Sequence, residues 1–171
     1  PGALSRAAEF IDDDAGRRFF FQLIQVVDED GALVYQPTIG RGPMERVLAE
    51  GNPLSCSGVY VDRDLFLRHR FPEAPELVAS EDWHCWIRVA TDCLPECCPG
   101  GGALLVDHAT RTMAVDRWEV AERRFAMLTE DLLASPAARE FLEPNLALFR
   151  ATQDHYVAVK AARQGAVGVS I

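Results

Sequence analysis

The chain has 171 residues, 49% of them hydrophobic, which suits one domain with a sizeable core, or one domain and an appendage. Acidic side chains outnumber basic ones 26 to 17, and the formal charge of −9 argues against a nucleic-acid backbone or an anionic membrane as the main partner. No apolar run reaches the length of a membrane span and no basic, apolar leader opens the sequence, so with five cysteines, an odd number, the expectation is a cytoplasmic protein with reduced thiols and no integral membrane segment.

Leu4 to Ile11 reads as a helix that ends in the solvated acidic run Asp12-Asp13-Asp14 before Gly16. Phe19 to Val27 is rich in β-formers and almost uninterrupted, the pattern of a buried strand. Asp28-Glu29-Asp30-Gly31 is a turn, and Ala32 to Tyr35 returns as the second strand of a hairpin. Pro43 to Glu50 is a short helix with proline at its first position and Gly51 past its end. Leu54 to Val61 reads as a strand, with Gly58 marking a bulge or the close approach of another group. Asp62 caps a brief helix through Leu67.

Ser80 is placed to cap a helix in which Glu81 and Asp82 occupy the electropositive first turn. Trp83, Trp86, Ile87 and Ala90 follow at helical spacing and form one apolar stripe. A carboxylate at such a helix start is held in place and partly wet, as a general base must be, although acids are common in first turns for the dipole alone. Cys93, Cys97 and Cys98, with His84 and His108 nearby, raise the thought of zinc; the spacing is not a paired CxxC, and Pro95, Pro99 and Gly100 to Gly102 read as loop. Ala103 to Val106 is the last strand.

The remainder is helical. Asp116 is placed to cap a helix with Trp118, Ala121, Phe125, Leu128 and Leu132 on one face, and Ser135-Pro136 breaks it. A second helix, interrupted at Pro144, runs to about Arg163 with Gly165 as its stop. The expected organisation is an α/β layer over residues 1–115 with a helical extension, residues 116–171, packed on it.

The order of these signals resembles the C-terminal, acceptor-side half of a family 2 inverting glycosyltransferase of the GT-A fold. The resemblance runs through the strand ending in Val27-Asp28-Glu29-Asp30-Gly31, then Gly51-Asn52-Pro53-Leu54-Ser55-Cys56-Ser57-Gly58-Val59-Tyr60-Val61. It continues through Phe71-Pro72-Glu73 and Ser80-Glu81-Asp82-Trp83-His84-Cys85-Trp86-Ile87-Arg88, and closes with Leu104-Leu105-Val106-Asp107-His108-Ala109-Thr110-Arg111. It implies a partial GT-A sheet, Rossmann-like, with flanking helices, and transfer of a sugar from a nucleotide-sugar donor to an acceptor hydroxyl.

By the same resemblance Asp82 is the general base, with Glu81 beside it as a second acceptor ligand or a structural cap. Ser57 and Gly58 lie near donor and acceptor, Trp83 and Trp86 offer a platform, and Arg111 touches phosphate. His108 matches a metal-ligating histidine that works with an Asp-x-Asp motif on a divalent cation, Mg or Mn. Asp12-Asp13-Asp14 does not fit that motif, because it ends a helix and too few residues follow before the next strand, so the donor and metal half is expected upstream of residue 1. The alternative is a non-catalytic binding or assembly module on the same scaffold, with an exposed sheet edge that invites a homodimer. A zinc-binding domain around Cys93 to His108 is a minor third reading.

Overall fold

The computed structural model describes residues 2–108 and 116–166. It is a mixed α/β structure built around one strand. Helix α1 (Ala3–Asp13) leads into β1 (Phe19–Val27), whose residues are buried along almost the whole length. β4 (Glu96–Val106) runs parallel to β1 on one edge, from Phe20 opposite Glu96 to Val27 opposite Val106. Two short antiparallel strands share the other edge, β3 (Val59–Val61) at the start of β1 and β2 (Leu33–Tyr35) at its end. The hairpin turn between β1 and β2 is held by Asp28, whose carboxylate accepts from the N–H groups of Asp30 and Ala32, while Gly31 takes the left-handed conformation (φ 84°).

Alternation along β1 sorts its aromatic run between two layers. Phe19 and Phe21 enter the main core, whereas Phe20 packs with Ala7 and Cys98 under α1 and stacks on Tyr60 at 4.8 Å. The main core is covered by α2 (Met44–Ala49), α4 (Glu81–Ala90) and the C-terminal helices α5 (Trp118–Ala134), α6 (Pro136–Leu142) and α7 (Leu146–Arg163); the short α3 (Arg63–Arg68) follows β3. Asp62 caps α3 by accepting from Leu65 N–H at 3.0 Å. The C-terminal helices share the core of the α/β layer: the Trp83 ring lies 5.0 Å from Phe149 and 6.1 Å from Phe125. Among the described residues, no helix is long and apolar enough to cross a membrane.

Several sequence expectations need correction. Cys97 to Gly102 is strand, not loop: β4 begins seven residues before Ala103 and absorbs its Pro and Gly residues through register shifts against β1. Pro99 is tolerated there because β4 is an edge strand. The strand expected over Leu54 to Val61 is only three residues long, because Cys56–Gly58 forms a tight 3₁₀ turn first. Neither Ser80 nor Asp116 caps its helix through a side chain, and Pro43 stands at the cap of α2, one position earlier than expected. Asp116 is instead engaged by Arg124 at 2.8 Å and by Lys160. α4 is also buried well beyond one stripe, with His84, Cys85 and Val89 covered along with the tryptophans.

Candidate functional site

A cleft of about 600 Å³ lies where the start of α4 meets the hairpin end of β1 and the C-terminal helices. That volume falls inside the roughly 300–1,000 Å³ range of small-molecule sites. Asp82 and Trp83 come from α4, Tyr35 from β2, Asp107 follows β4, and Gln153 and Tyr156 come from α7.

The backbone fixes how Asp82 enters this space. Ala79 adopts the left-handed conformation (φ 73°), which turns the chain sharply before α4, and Ser80 is buried. Asp82 Oδ1 accepts from the N–H of Trp83 at 2.7 Å, and the thiol of Cys56 faces Oδ2 at 3.9 Å. Burial pushes the Asp82 carboxyl above the ordinary aspartate range; the neighbouring Glu81 adds to the rise, while hydrogen bonds from Trp83 N–H and the Asn52 side chain oppose it. Burial, with Asp82 and Glu81 close by, likewise pushes the Cys56 thiol up to about 11.

The other residues singled out in the sequence separate. Glu81 does not line the cleft, and its Oε2 is buried without a hydrogen-bond partner. Trp83 forms part of the cleft wall and anchors itself by donating its indole N–H to Leu48 O at 2.8 Å. Trp86 is a core residue: it donates to Leu54 O at 3.0 Å and packs against Phe19 and Phe71. Gly58 packs on strand β1, where the Cβ of any other residue would sit 2.3 Å from Gln22 O, and exposed Ser57 lies beside it outside the cleft; Ser55 of the same segment does line it. His108 is exposed next to Asp107, and Arg111 lies outside the described residues.

Among the described residues no three His, Cys, Asp or Glu side chains gather as a cation site. Cys97 and Cys98 are successive residues of β4 and so point to opposite faces, which divides the cysteine cluster that had suggested zinc. His84 is drawn away as well: it is fully buried, and its Nε2 pairs with Asp131 at 2.5 Å. The chain matches no protein-family model, no curated protein and no solved structure.

Apart from its two acids the described lining is neutral, and aliphatic and aromatic side chains dominate it. An acid with a raised proton affinity stands at one wall, and an aromatic ring stands beside it. The wall contributed by α7 was not anticipated. A signal for it exists: Gln153 interrupts the buried stripe Phe149, Val157 and Ala161 at helical spacing, and a polar residue in such a stripe wants a reason.

Proposed function

We propose that the chain is the acceptor-side part of an inverting glycosyltransferase built on a GT-A-like scaffold, with Asp82 as its general base. The observation that supports this most is the position of the Asp82 carboxylate: on the wall of a small-molecule cleft, beside Trp83, with its proton affinity raised by burial. A base that must take a proton from an alcohol gains from such a rise, because its basicity increases. In the step, an acceptor hydroxyl gives its proton to Asp82 as its oxygen forms a bond to the anomeric carbon of a nucleotide-sugar. The bond from that carbon to the diphosphate breaks on the opposite face, and the nucleoside diphosphate leaves with the electron pair. Glu81, which does not line the cleft, takes no part in the transfer; His108 and Arg111 belong to the expected donor side.

The test supplies the protein, in its full native polypeptide, with a panel of nucleotide-hexoses and alcohol acceptors, and follows release of nucleoside diphosphate. Asp82→Asn is expected to lower kcat by about 10²–10⁴-fold with little change in folding. Turnover equal to that of the wild type in this variant would remove Asp82 from the chemistry.

A second reading has one observation in its favour. Leu33, Val34 and Tyr35 of the edge strand β2 are 54–60% exposed, an apolar strip suited to assembly. Under that reading the scaffold binds and does not catalyse, and β2 pairs with a second copy. Sedimentation equilibrium distinguishes it, since a clean monomer at all concentrations would leave the strip without a partner.

A further inference from the structure

Helix α4 holds a neighbouring segment at both ends. Trp83 donates its indole N–H to Leu48 O at 2.8 Å, and Trp86 donates its own to Leu54 O at 3.0 Å. Leu48 and Leu54 are both buried in the main core. Between these pins the chain leaves α2, turns through Gly51 (φ 151°) and reaches Asn52 and Pro53, whose ring fixes its own φ. Residues 51–55 line the cleft, and Asn52 is exposed.

The amide of Asn52 has one orientation. Its Oδ1 accepts from the N–H of Leu54 at 3.2 Å, closing a local turn. That leaves Nδ2, the donor end, for Asp82, with which the Asn52 side chain also hydrogen-bonds. An ionised carboxylate only accepts, so the two contacts agree on which way the amide faces. The other N–H on Asp82, from Trp83 at 2.7 Å, belongs to the same helical turn, whereas Asn52 comes from a different element and fixes the carboxylate relative to the rest of the cleft.

We propose that Asn52 is the positioning residue of Asp82: pinned through the two indoles and Leu54 N–H, its Nδ2–H holds the carboxylate in one orientation in the cleft. This rests on the glycosyltransferase reading for what the orientation serves, which is to aim a carboxylate oxygen at the acceptor hydroxyl. Asn52 itself moves no proton. A donor at this place also favours the ionised carboxylate, against burial and against Glu81 on the same helix; Cys56 faces the group from the turn before β3, and Asp107 lines the same cleft.

The test is NMR on the full native polypeptide, isotope-labelled, with the Asp82 carboxyl carbon assigned through Asp82→Asn. In the wild type the Asn52 Nδ2 amide signals are expected to shift with pH at the same midpoint as that carbon. Amide signals that do not follow the Asp82 titration overturn the contact. Asn52→Ser keeps an oxygen that can accept from Leu54 N–H but stops one bond short of Asp82, and Asn52→Ala removes both. Both variants are expected to move the Asp82 titration to higher pH by the same amount. A serine variant that titrates like the wild type overturns the proposal, because Asn52 would then serve only the turn. If the variants do not fold, the wild-type titration decides. In transfer assays Asn52→Ser is expected to lower kcat about tenfold with KM held within about twofold, and to move the acid limb of kcat to higher pH. A loss confined to KM overturns the positioning role. If the two signals titrate together in a protein that transfers no sugar, the glycosyltransferase reading falls and the contact stands. If Asp82→Asn abolishes transfer while the signals titrate apart, the contact falls and that reading stands.

Discussion

The thiol of Cys56 points at the Oδ2 atom of Asp82 across 3.9 Å, joining the 3₁₀ turn before β3 to the first turn of α4. Cys56 is exposed, yet burial of its sulfur first, and then Asp82, hold its thiol up to about 11. The thiolate is the nucleophile, so Cys56 is expected to alkylate slowly at pH 8 despite its exposure. Replacing Asp82 by Asn removes one contribution and leaves burial, and the rate at Cys56 should rise roughly two- to fivefold. Peptide-resolved mass spectrometry after iodoacetamide treatment measures it. Labelling as rapid as that of an unhindered thiol in the wild type would contradict the pairing.

Trp83 connects the cleft to the core, and its truncation should be felt in both. Its ring contacts Phe125 and Phe149 and its N–H is bonded to Leu48 O. Trp83→Ala is expected to cost about 3–5 kcal/mol, the range for deleting a large buried aromatic. Trp83→Phe keeps much of the packing but leaves the Leu48 carbonyl unpaired, and should cost about 1–3 kcal/mol. Chemical denaturation curves give both numbers, and a loss under about 1 kcal/mol for the alanine variant would show that the ring is not part of the core.

Gly58 is required by contact with backbone. A Cβ there would lie 2.3 Å from Gln22 O and 3.3 Å from Ile24 Cγ2, and the carbonyl cannot move without disturbing β1. Gly58→Ala is therefore expected to destabilise the fold by about 1–3 kcal/mol, as overpacking does. A thermal melt that matches the wild type would mean that β3 approaches β1 less closely than described.

His84 sets a pH dependence. Burial drives its pKa below the usual 6.5, against the pull of Asp131. With Nε2–H donated to Asp131, its Nδ1 is buried without a partner, in keeping with a neutral ring. The unfolded chain takes up a proton near pH 6.5 that the folded chain refuses, so this residue's contribution is fully present above about pH 6.5 and is lost as pH falls toward the depressed native pKa. Urea unfolding between pH 8 and 5 should show stability declining on the acid side, and His84→Gln should flatten that part of the profile. An unchanged slope in the variant would assign the decline to other groups.

The parts of the fold legible in the sequence were those where local pattern and tertiary demand agree. β1 carries a nine-residue run that only burial on both faces explains, and α4 begins and ends where its acids and apolar spacing place it. β4 was obscured because Cys97 to Gly102 has the composition of a loop, and only pairing with β1 makes it a strand. Ser80 and Asp116 have the right chemistry for caps, but tertiary partners claim Asp116, and Ser80 is buried beneath the turn made by Ala79. At the cleft, Asp82 and Trp83 could be picked from one short segment, whereas Tyr35, Gln153 and Tyr156 arrive from elements distant in sequence. Among the aromatic pair, Trp86 belongs to the interior, a choice that helical spacing alone could not make.

Helix α7 presents Phe149, Val157 and Ala161 to the interior, while Thr152 and Tyr156, half-buried, look onto the cleft. Support of the core and lining of the cleft are thus written on adjoining faces of a single rod. Thr152 can be exchanged without touching the joint that Phe149 makes with Trp83, whereas Tyr156 also packs edge-on against Phe125 at 5.4 Å, so of the two it is position 152 that can drift while the architecture stays put.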